Sequence, residues 1–347
     1  MASMIAAASG KPFMASILLV FGLFISHLAV LTGAQSLGVC YGRNGANLPK
    51  QAEVISLYKA NGIGRMRLYD PDPATLQALR DSNIELILDV PKSSLQPLAD
   101  PAKARDWVQK NVKAYSPGVK FRYISVGNEI HPSDAEAKFV LPAMQNVQNE
   151  ISAANLRAQV KVSTAIDTTL LGGSYPPSKG FFGDAASSYI KPILQFLAKN
   201  GAPLLVNVYP YFSHANDPAR VGLDFALFRA PAVVVSDGKN RYRNLFDAMV
   251  DSVYSALEKA GNPNLKIVVS ESGWPSAGGK AATRENAGTY YRNLISHVKG
   301  GTPKKRGQAV ETYLFAMFEE NLKEAGVERN FGLFLPNKQP KYQLSFR

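Results

Sequence analysis

The sequence predicts a single-domain (β/α)₈ barrel of the TIM type. Eight short runs rich in aliphatic and β-branched residues follow one another along the 347 residues, and segments with helical spacing separate them. No Pro-, Gly- or Ser-rich linker and no short-period repeat divides the chain. Alternating strands and helices imply parallel pairing, and a closed barrel of eight such units needs about 250 residues or more.

Each predicted strand is a short apolar run bounded by polar or turn-forming residues. The runs cover residues 37–41, 65–69, 84–90, 122–126, 161–166, 204–209, 265–270 and 311–318. Those at 84–90 and 265–270 are nearly continuous in Val, Ile and Leu, as expected of parallel strands that are buried on both faces. An open, doubly wound sheet is the alternative arrangement of the same elements.

The predicted helices lie between these runs. Segments with helical spacing include residues 52–60, 102–115, 140–153, 242–260 and 284–298. Asn61 and Gly62 form a stop signal after the first of them, and Asp100 followed by Pro101 supplies an N-cap and a first-turn proline. A short helix is predicted after the prolines at 71 and 73. The long connection at 212–243 is predicted to be an excursion on the face where the strands end.

The first 34 residues predict a signal peptide. Lys11 is their only charge, an apolar run covers residues 13–31, and the small residues 32–34 follow it directly. A membrane anchor through residues 14–31 is the alternative. The signal peptide is favoured because no basic stop-transfer cluster follows. We therefore expect a catalytic domain at 35–347 and no stable membrane insertion after the signal is removed.

The charge balance is basic, at +12. The positive residues are scattered, and the densest cluster, Lys304 to Arg306, follows a Gly-Gly pair in a predicted loop, which does not favour nucleic-acid binding. Cys40 is the only cysteine, so no intramolecular disulfide is available and one large packed core must stabilise the fold. The expected product is a basic, secreted monomer that binds no nucleic acid.

Two carboxylates stand at the ends of predicted strands. The fourth run leads directly to Glu129, and Glu271 comes directly after the seventh. Because active sites of such barrels lie at the carboxyl ends of the strands, both side chains are expected to reach one cleft. A pair of carboxyl groups is what cleavage of a glycosidic bond requires. Either glutamate alone has the alternative interpretation of a helix cap or an ion-pair partner.

Other catalytic chemistries find little support. His214 and His297 have no companions at metal-ligand spacing, and His131 is interpreted as a surface residue or one that supports the cleft. The glycine pairs match no phosphate or dinucleotide motif, and no Gly-x-Ser-x-Gly elbow is present. We therefore predict no metal and no cofactor.

Six segments of the chain resemble plant β-1,3-glucanases of glycoside hydrolase family 17. They are residues 38–42 (GVCYG), 66–70 (MRLYD), 126–129 (VGNE), 207–212 (NVYPYF), 268–278 (VVSESGWPSAG) and 331–334 (FGLF). The match runs in order from about residue 35 to 346. The resemblance implies a barrel that cuts internal β-1,3 bonds of glucans with retention of configuration, with Glu129 as acid/base and Glu271 as nucleophile.

The resemblance also implies residues that bind the sugar. Glu320, Lys323 and Glu328 match a further charged set of the family, with Lys323 expected to tune the charge of Glu129 or its neighbours. A solvated loop network is the alternative for these three. Asn128 stands where related enzymes bind the sugar 2-hydroxyl.

Aromatic residues at the strand ends are candidates for stacking on sugar rings. Tyr69, Tyr209 and Tyr211 are favoured, and Tyr211 is also expected to hydrogen-bond Glu271 and keep it ionised. Phe212, Trp274 and Phe315 are further candidates, about half of the whole set being expected in the core.

Three functions remain open from the sequence. The first is an endo-hydrolase of β-1,3-glucan in fungal walls or callose, in plant defence or wall remodelling. The second is a β-1,3;1,4-glucanase of the same family, and the third is a wall protein that binds glucan without turnover. Basic members of the family often carry a C-terminal vacuolar extension, which the segment 342–347 does not resemble, so the apoplast is favoured over the vacuole.

Overall fold

A computed structural model gives the structure of the protein and describes residues 37–346. The predicted signal peptide and the alternative anchor both lie outside the described residues. Within residues 37–346, no helix is both long enough and apolar enough to cross a membrane.

The described part of the chain alternates between strands and helices. The strands are β1 (Leu37–Tyr41), β2 (Arg65–Leu68), β3 (Glu85–Val90), β4 (Lys120–Asn128), β5 (Lys161–Asp167), β6 (Leu171–Gly173), β7 (Phe181–Phe182), β8 (Leu204–Asn207), β9 (Val235–Asp237), β10 (Asn240–Tyr242), β11 (Ile267–Ser272) and β12 (Thr312–Leu314). The α-helices are α1 (Gln51–Ala60), α2 (Pro73–Leu79), α3 (Leu95–Leu98), α4 (Pro101–Asn111), α5 (Ala137–Ala153), α6 (Asp184–Asn200), α7 (Pro210–Asn216), α8 (Leu223–Ala226), α9 (Leu245–Lys259) and α10 (Arg284–His297).

Eight of the strands close into a parallel barrel, which confirms the predicted fold. The order around the barrel is β1, β2, β3, β4, β5, β8, β11 and β12, and β12 pairs with β1 through Leu37 and Thr312. Each of the eight predicted runs overlaps one barrel strand, and β4, β5 and β11 extend beyond the predicted ends. The remaining strands form two antiparallel pairs outside the barrel, β6 with β7 and β9 with β10.

Two apolar layers hold the barrel together. Side chains such as Cys40, Ile87, Ala165, Leu205 and Val268 fill its interior, while a larger cluster lies between the strands and the surrounding helices. Burial on both faces explains why the strand sequences are nearly continuous in apolar residues. Cys40 is fully buried, as a single inert thiol in such a layer should be.

The helices begin and end largely where the sequence predicts. Asp100 caps α4, its carboxylate accepting hydrogen bonds from the backbone N–H groups of Ala102 and Lys103. The helix α6 was not among the segments named from helical spacing, although it buries Ile190, Leu194 and other apolar side chains. The predicted excursion after β8 contains α7, α8 and the β9–β10 hairpin.

An ion network occupies the end of the barrel where the strands begin. Arg65 contacts Glu85 at 2.7 Å, and Arg122 bridges Glu85 at 3.1 Å and Glu311 at 2.7 Å. Charged pairs at this end of a TIM barrel serve stability, since the loops that carry chemistry lie at the opposite end.

Candidate active site

Irregular backbone marks the ends of the two strands that carry Glu129 and Glu271. The pairing of β4 with β5 shifts register between Ser125 and Asn128, and that of β11 with β8 shifts between Val269 and Glu271. Such bulges re-aim side chains next to functional sites. Glu129 itself has a φ of +51°, a strained value for a residue with a side chain.

Arg67 on β2 is fully buried and lies among the side chains at the end of the barrel where the strands finish. Its guanidinium donates to the Asp89 carboxylate, with the shortest contact at 2.7 Å. The same group donates to Glu271 Oε1 at 2.9 Å and to the amide oxygens of Asn128 and Asn207 at 2.8 and 3.1 Å. The Arg67 side chain therefore links β2 to four other strands and places a fixed positive charge below the cleft.

Glu271 accepts hydrogen bonds at both carboxylate oxygens. Besides Arg67, the Tyr69 hydroxyl donates to Oε1 at 2.7 Å and the Tyr209 hydroxyl donates to Oε2 at 2.6 Å. Burial is the main cause that raises the pKa of each hydroxyl well above its usual value, and the Glu271 charge adds to it. Both tyrosines therefore stay protonated as donors. One cation and two hydroxyls stabilise the ionised form of Glu271.

Glu129 has a different environment. Its Oε1 accepts one hydrogen bond, at 2.8 Å from the amide nitrogen of Asn207. Burial, with additions from the nearby Glu271 and Asp167 charges, raises the pKa of Glu129 to about 7, and the Asn207 bond and the Arg67 charge oppose this rise. The two carboxyls therefore differ: Glu271 contacts one cation and two hydroxyl donors, whereas burial favours the protonated form of Glu129.

Burying Glu129 has a stability cost that depends on pH. Because the folded pKa lies above the ordinary value of 4.5, the folded state holds this proton more tightly than the unfolded chain, so stability falls as pH rises from about 4.5 through 7. We expect Glu129→Gln, which keeps an acceptor for Asn207, to raise the free energy of unfolding by about 1 to 3 kcal/mol at pH 8. At pH 4 the gain should be small. Urea unfolding at pH 4 and at pH 8 measures this free energy, with the exposed Glu285→Gln as the control. Equal gains at the two pH values would contradict the raised pKa of Glu129 as their cause.

Two members of the predicted charged set, Glu320 and Lys323, line an open cleft of about 450 Å³. Glu320 is buried, accepts a hydrogen bond from the Asn44 N–H at 2.8 Å and pairs with Lys323 at 3.2 Å. Gly42 packs against this carboxylate so closely that a Cβ there would lie 2.4 Å from its oxygens. The cleft is lined by Tyr41, Gly42, Arg43, Asn44, Tyr69, Asp70, Asn128, Glu271, Phe315, Glu320 and Lys323.

Lys323 and Glu328, the other members of the charged set, have different surroundings. The Lys323 ammonium pairs with Glu320 and lies 4.4 Å from the centre of the Phe315 ring. Its contacts are with these two residues rather than with Glu129. Glu328 is half-buried, and burial raises its pKa while Lys323 lowers it. These three side chains form a partly buried network rather than a fully solvated one.

The expectation for Tyr211 was wrong. The hydroxyls that reach Glu271 belong to Tyr69 and Tyr209, whereas Tyr211 is buried and packs edge-on against Trp274 at 5.1 Å between ring centres. The reason is that Pro210 starts α7, so the chain stops alternating like a strand and turns Tyr211 away from the cleft. Trp274 is also fully buried and belongs to the core.

Three site residues were missed from the sequence: Arg67, Asp89 and Asn207. Asn207 accepts from Arg67 and from the Ser270 hydroxyl, and donates to Asn128 Oδ1 and Glu129 Oε1. A polar or charged residue inside an apolar strand was the available signal for all three. Among residues 37–346, no cluster of three or more His, Cys, Asp or Glu side chains is arranged to hold a metal ion.

Known proteins share both sequence and fold with this chain. The family model "Glycosyl hydrolases family 17" matches residues 37–346. A glucan endo-1,3-beta-glucosidase of Vitis vinifera is 60% identical over 97% of this chain and 98% of the relative. A basic vacuolar isoform of that enzyme from Nicotiana tabacum is 54% identical over 96% of this chain and 91% of the relative.

Two solved structures superimpose closely on the barrel. One is described with a pair of plant beta-glucan endohydrolases of distinct substrate specificities, and has a TM-score of 0.86 and 47% identity over 89% of this chain and 99% of its own. The other is a beta-1,3-glucanase and allergen of Cryptomeria japonica pollen, with a TM-score of 0.86 and 47% identity over 89% and 98%. The family model and the relatives span the whole described barrel, so the chain belongs to glycosyl hydrolases family 17.

Proposed function

We propose that the protein hydrolyses internal β-1,3 bonds of glucans with retention, using Glu129 as acid/base and Glu271 as nucleophile. The observation that carries the proposal is the unequal environment of the two carboxyls. Glu271 is stabilised as an anion by Arg67, Tyr69 and Tyr209. Among residues 37–346, no Lys, Arg or His forms an ion pair with Glu129, and burial raises its pKa. The relatives named glucan endo-1,3-beta-glucosidases support the choice of bond.

In the first step, the Glu129 carboxyl gives its proton to the glycosidic oxygen while a Glu271 oxygen attacks the anomeric carbon. The bond from that carbon to the leaving oxygen breaks, and a glycosyl ester on Glu271 forms. In the second step, Glu129, now a carboxylate, removes a proton from water, whose oxygen displaces Glu271. Arg67 and the two tyrosines stabilise the Glu271 carboxylate as it leaves.

Asn128 is proposed as a substrate-binding residue. Its amide oxygen accepts hydrogen bonds from Arg67 and from Asn207. The amide is therefore oriented, and its nitrogen is available at the cleft to donate to a sugar hydroxyl. Glu320, Lys323 and Glu328 are proposed to bind sugar hydroxyls, the first two from the cleft that they line.

Tyr209→Phe tests how Glu271 is held. Loss of a hydrogen bond to a charged group costs about 1.5 to 3 kcal/mol, so kcat/KM on laminarin should fall by roughly 10- to 100-fold. Tyr211→Phe is the matched control, because that hydroxyl lies next to Gly279 and not at Glu271. Equal losses in the two variants would show that the effect is general to the aromatic cluster.

Reducing-end release from laminarin, with products sized by chromatography, tests the proposed function directly. A mixture of short oligomers from the start of the reaction identifies internal cleavage, and glucose alone would contradict it. Because the solved structural relative belongs to a pair with distinct specificities, a β-1,3;1,4-glucanase is the second candidate. Faster release from barley mixed-linkage glucan than from laminarin would favour it, and saturable binding without release would indicate a glucan-binding protein.

For location we propose the apoplast, where the glucans of pathogen walls are reached. The tobacco relative described as a basic vacuolar isoform makes the vacuole the alternative. Expression of the full chain with a C-terminal fluorescent tag in plant cells, followed by plasmolysis, separates the two outcomes.

A further inference from the structure

An acidic residue that the proposed mechanism does not use lies beside Glu129. Asp167 is the last residue of β5, and Ala165, two positions earlier on the same strand face, packs in the barrel interior. Asp167 is also paired in register with Asn207, whose amide donates to Glu129. The backbone N–H of Glu129 donates to the Ala165 carbonyl at 2.9 Å. The Asp167 carboxylate is therefore placed at the mouth of the barrel on the side of Glu129.

The orientation of Asp167 is fixed by contacts at both oxygens. Oδ1 accepts from the Thr169 N–H at 2.7 Å and from the Thr169 hydroxyl at 2.5 Å. Oδ2 lies 2.9 Å from Nε2 of His131, which follows Glu129 by two residues. His131 is in turn tied to Asp134 through its backbone N–H at 3.1 Å. The loop that carries Glu129 is thus fastened to β5 through a His-Asp pair.

We propose that Asp167, held by His131 and Thr169, is a positioning residue whose negative charge keeps Glu129 protonated and ready to act as the acid. The inference rests on the proposed role of Glu129. Asp167 is half-buried, so its field is less screened by salt than that of a surface carboxylate. The Glu129 environment agrees, since burial, then Glu271, and then Asp167 raise its pKa.

Other charged and polar groups surround this pair. From other elements Glu129 is faced by Glu271, by Arg67 and its partner Asp89, and by the neutral hydroxyl of Tyr209. On the outer side of His131 lie Asp134, Glu136 and Lys92, with Lys92 pairing both carboxylates at 3.2 and 3.4 Å. That outer group is largely compensated and more exposed, so Asp167 is the carboxylate whose neutralisation should matter most after Glu271.

The test is the pH dependence of kcat/KM on laminarin at fixed ionic strength. Asp167→Asn keeps the acceptor for Thr169 and removes the charge. The inflection at the basic end of the profile should therefore move to lower pH by about 0.5 to 1 unit. Thr169→Val and His131→Gln alter the contacts of Asp167 but leave its charge, so neither should move the inflection downward. An unmoved inflection in Asp167→Asn, or an equal downward shift in the two controls, overturns the inference.

The outcomes separate this inference from the proposed function. If Glu129→Gln keeps the basic inflection, Glu129 is not the acid, and the function assignment fails whatever Asp167 does. A direct reading comes from ¹³C NMR titration of the Glu129 carboxyl, identified by its loss in Glu129→Gln. Its midpoint should fall in Asp167→Asn and in a second variant, Asp167→Ser, and a midpoint unchanged in both folded variants contradicts the inference without any assay of activity.

Discussion

Replacing Glu271 with Ala should abolish turnover of laminarin, with kcat lowered by about 10⁴-fold or more. The variant loses the oxygen that attacks the anomeric carbon. A water molecule on that face of the sugar has no base to activate it, because Glu129 acts at the opposite face. Arg67 keeps its contacts with Asp89, so the barrel should remain folded. The exposed control Glu285→Ala should keep the wild-type rate.

A small external nucleophile sharpens this test. Azide fits the space left by the Glu271 carboxylate and should restore cleavage of an activated β-glucoside, giving the α-glucosyl azide by direct displacement. Full activity of Glu271→Ala without azide would exclude Glu271 as the nucleophile. Recovery with azide but with the β-azide as product would point to a different attacking residue.

Glu129→Gln should slow hydrolysis of laminarin by roughly 10²- to 10⁴-fold, because the leaving sugar oxygen can no longer be protonated. The size of the loss should depend on the leaving group. The 2,4-dinitrophenolate of an activated glycoside leaves without protonation. The glycosyl ester on Glu271 should therefore form nearly as fast as in the wild type. Its breakdown should be slow, because no base is left to activate water.

The kinetic form of this prediction is a burst of dinitrophenolate followed by slow turnover. The wild type should lose kcat/KM as pH rises through about 7, the value to which burial raises the pKa of Glu129, and the variant should lack that limb. A Glu129→Gln protein that is slowed equally on both substrates would contradict the role of acid. A retained basic limb would do the same.

The barrel was predictable because its strands carry their own signal. Runs such as that of β11 are apolar on both faces, and helical segments separate them with recognisable caps like Asp100. Helix α6 buries one apolar face, although Pro192 lies inside it and proline normally indicates a helix end. Tertiary packing of its apolar face overrides that local preference.

The two glutamates were predictable for a related reason. A carboxylate directly after an apolar strand has little structural purpose, so Glu129 and Glu271 stood out. Arg67 and Asn207 did not, because each lies inside a predicted run, where the sequence alone does not show which side chains reach the cleft. Tyr211 was misplaced because it was assigned to the strand end that faces the cleft, whereas Pro210 starts a helix there.

Trapping the glycosyl-enzyme intermediate tests most directly whether Glu271 is the nucleophile. A 2-deoxy-2-fluoro-β-laminaribiosyl fluoride should react once with the wild type, because its fluorine slows both steps and its leaving group favours the first. Mass spectrometry of peptic digests should then place one disaccharide on Glu271, and Glu271→Ala should remain unlabelled. A label on Glu129 or on another residue, or an α-anomer as the first product of laminarin hydrolysis, would contradict a retaining mechanism at Glu271.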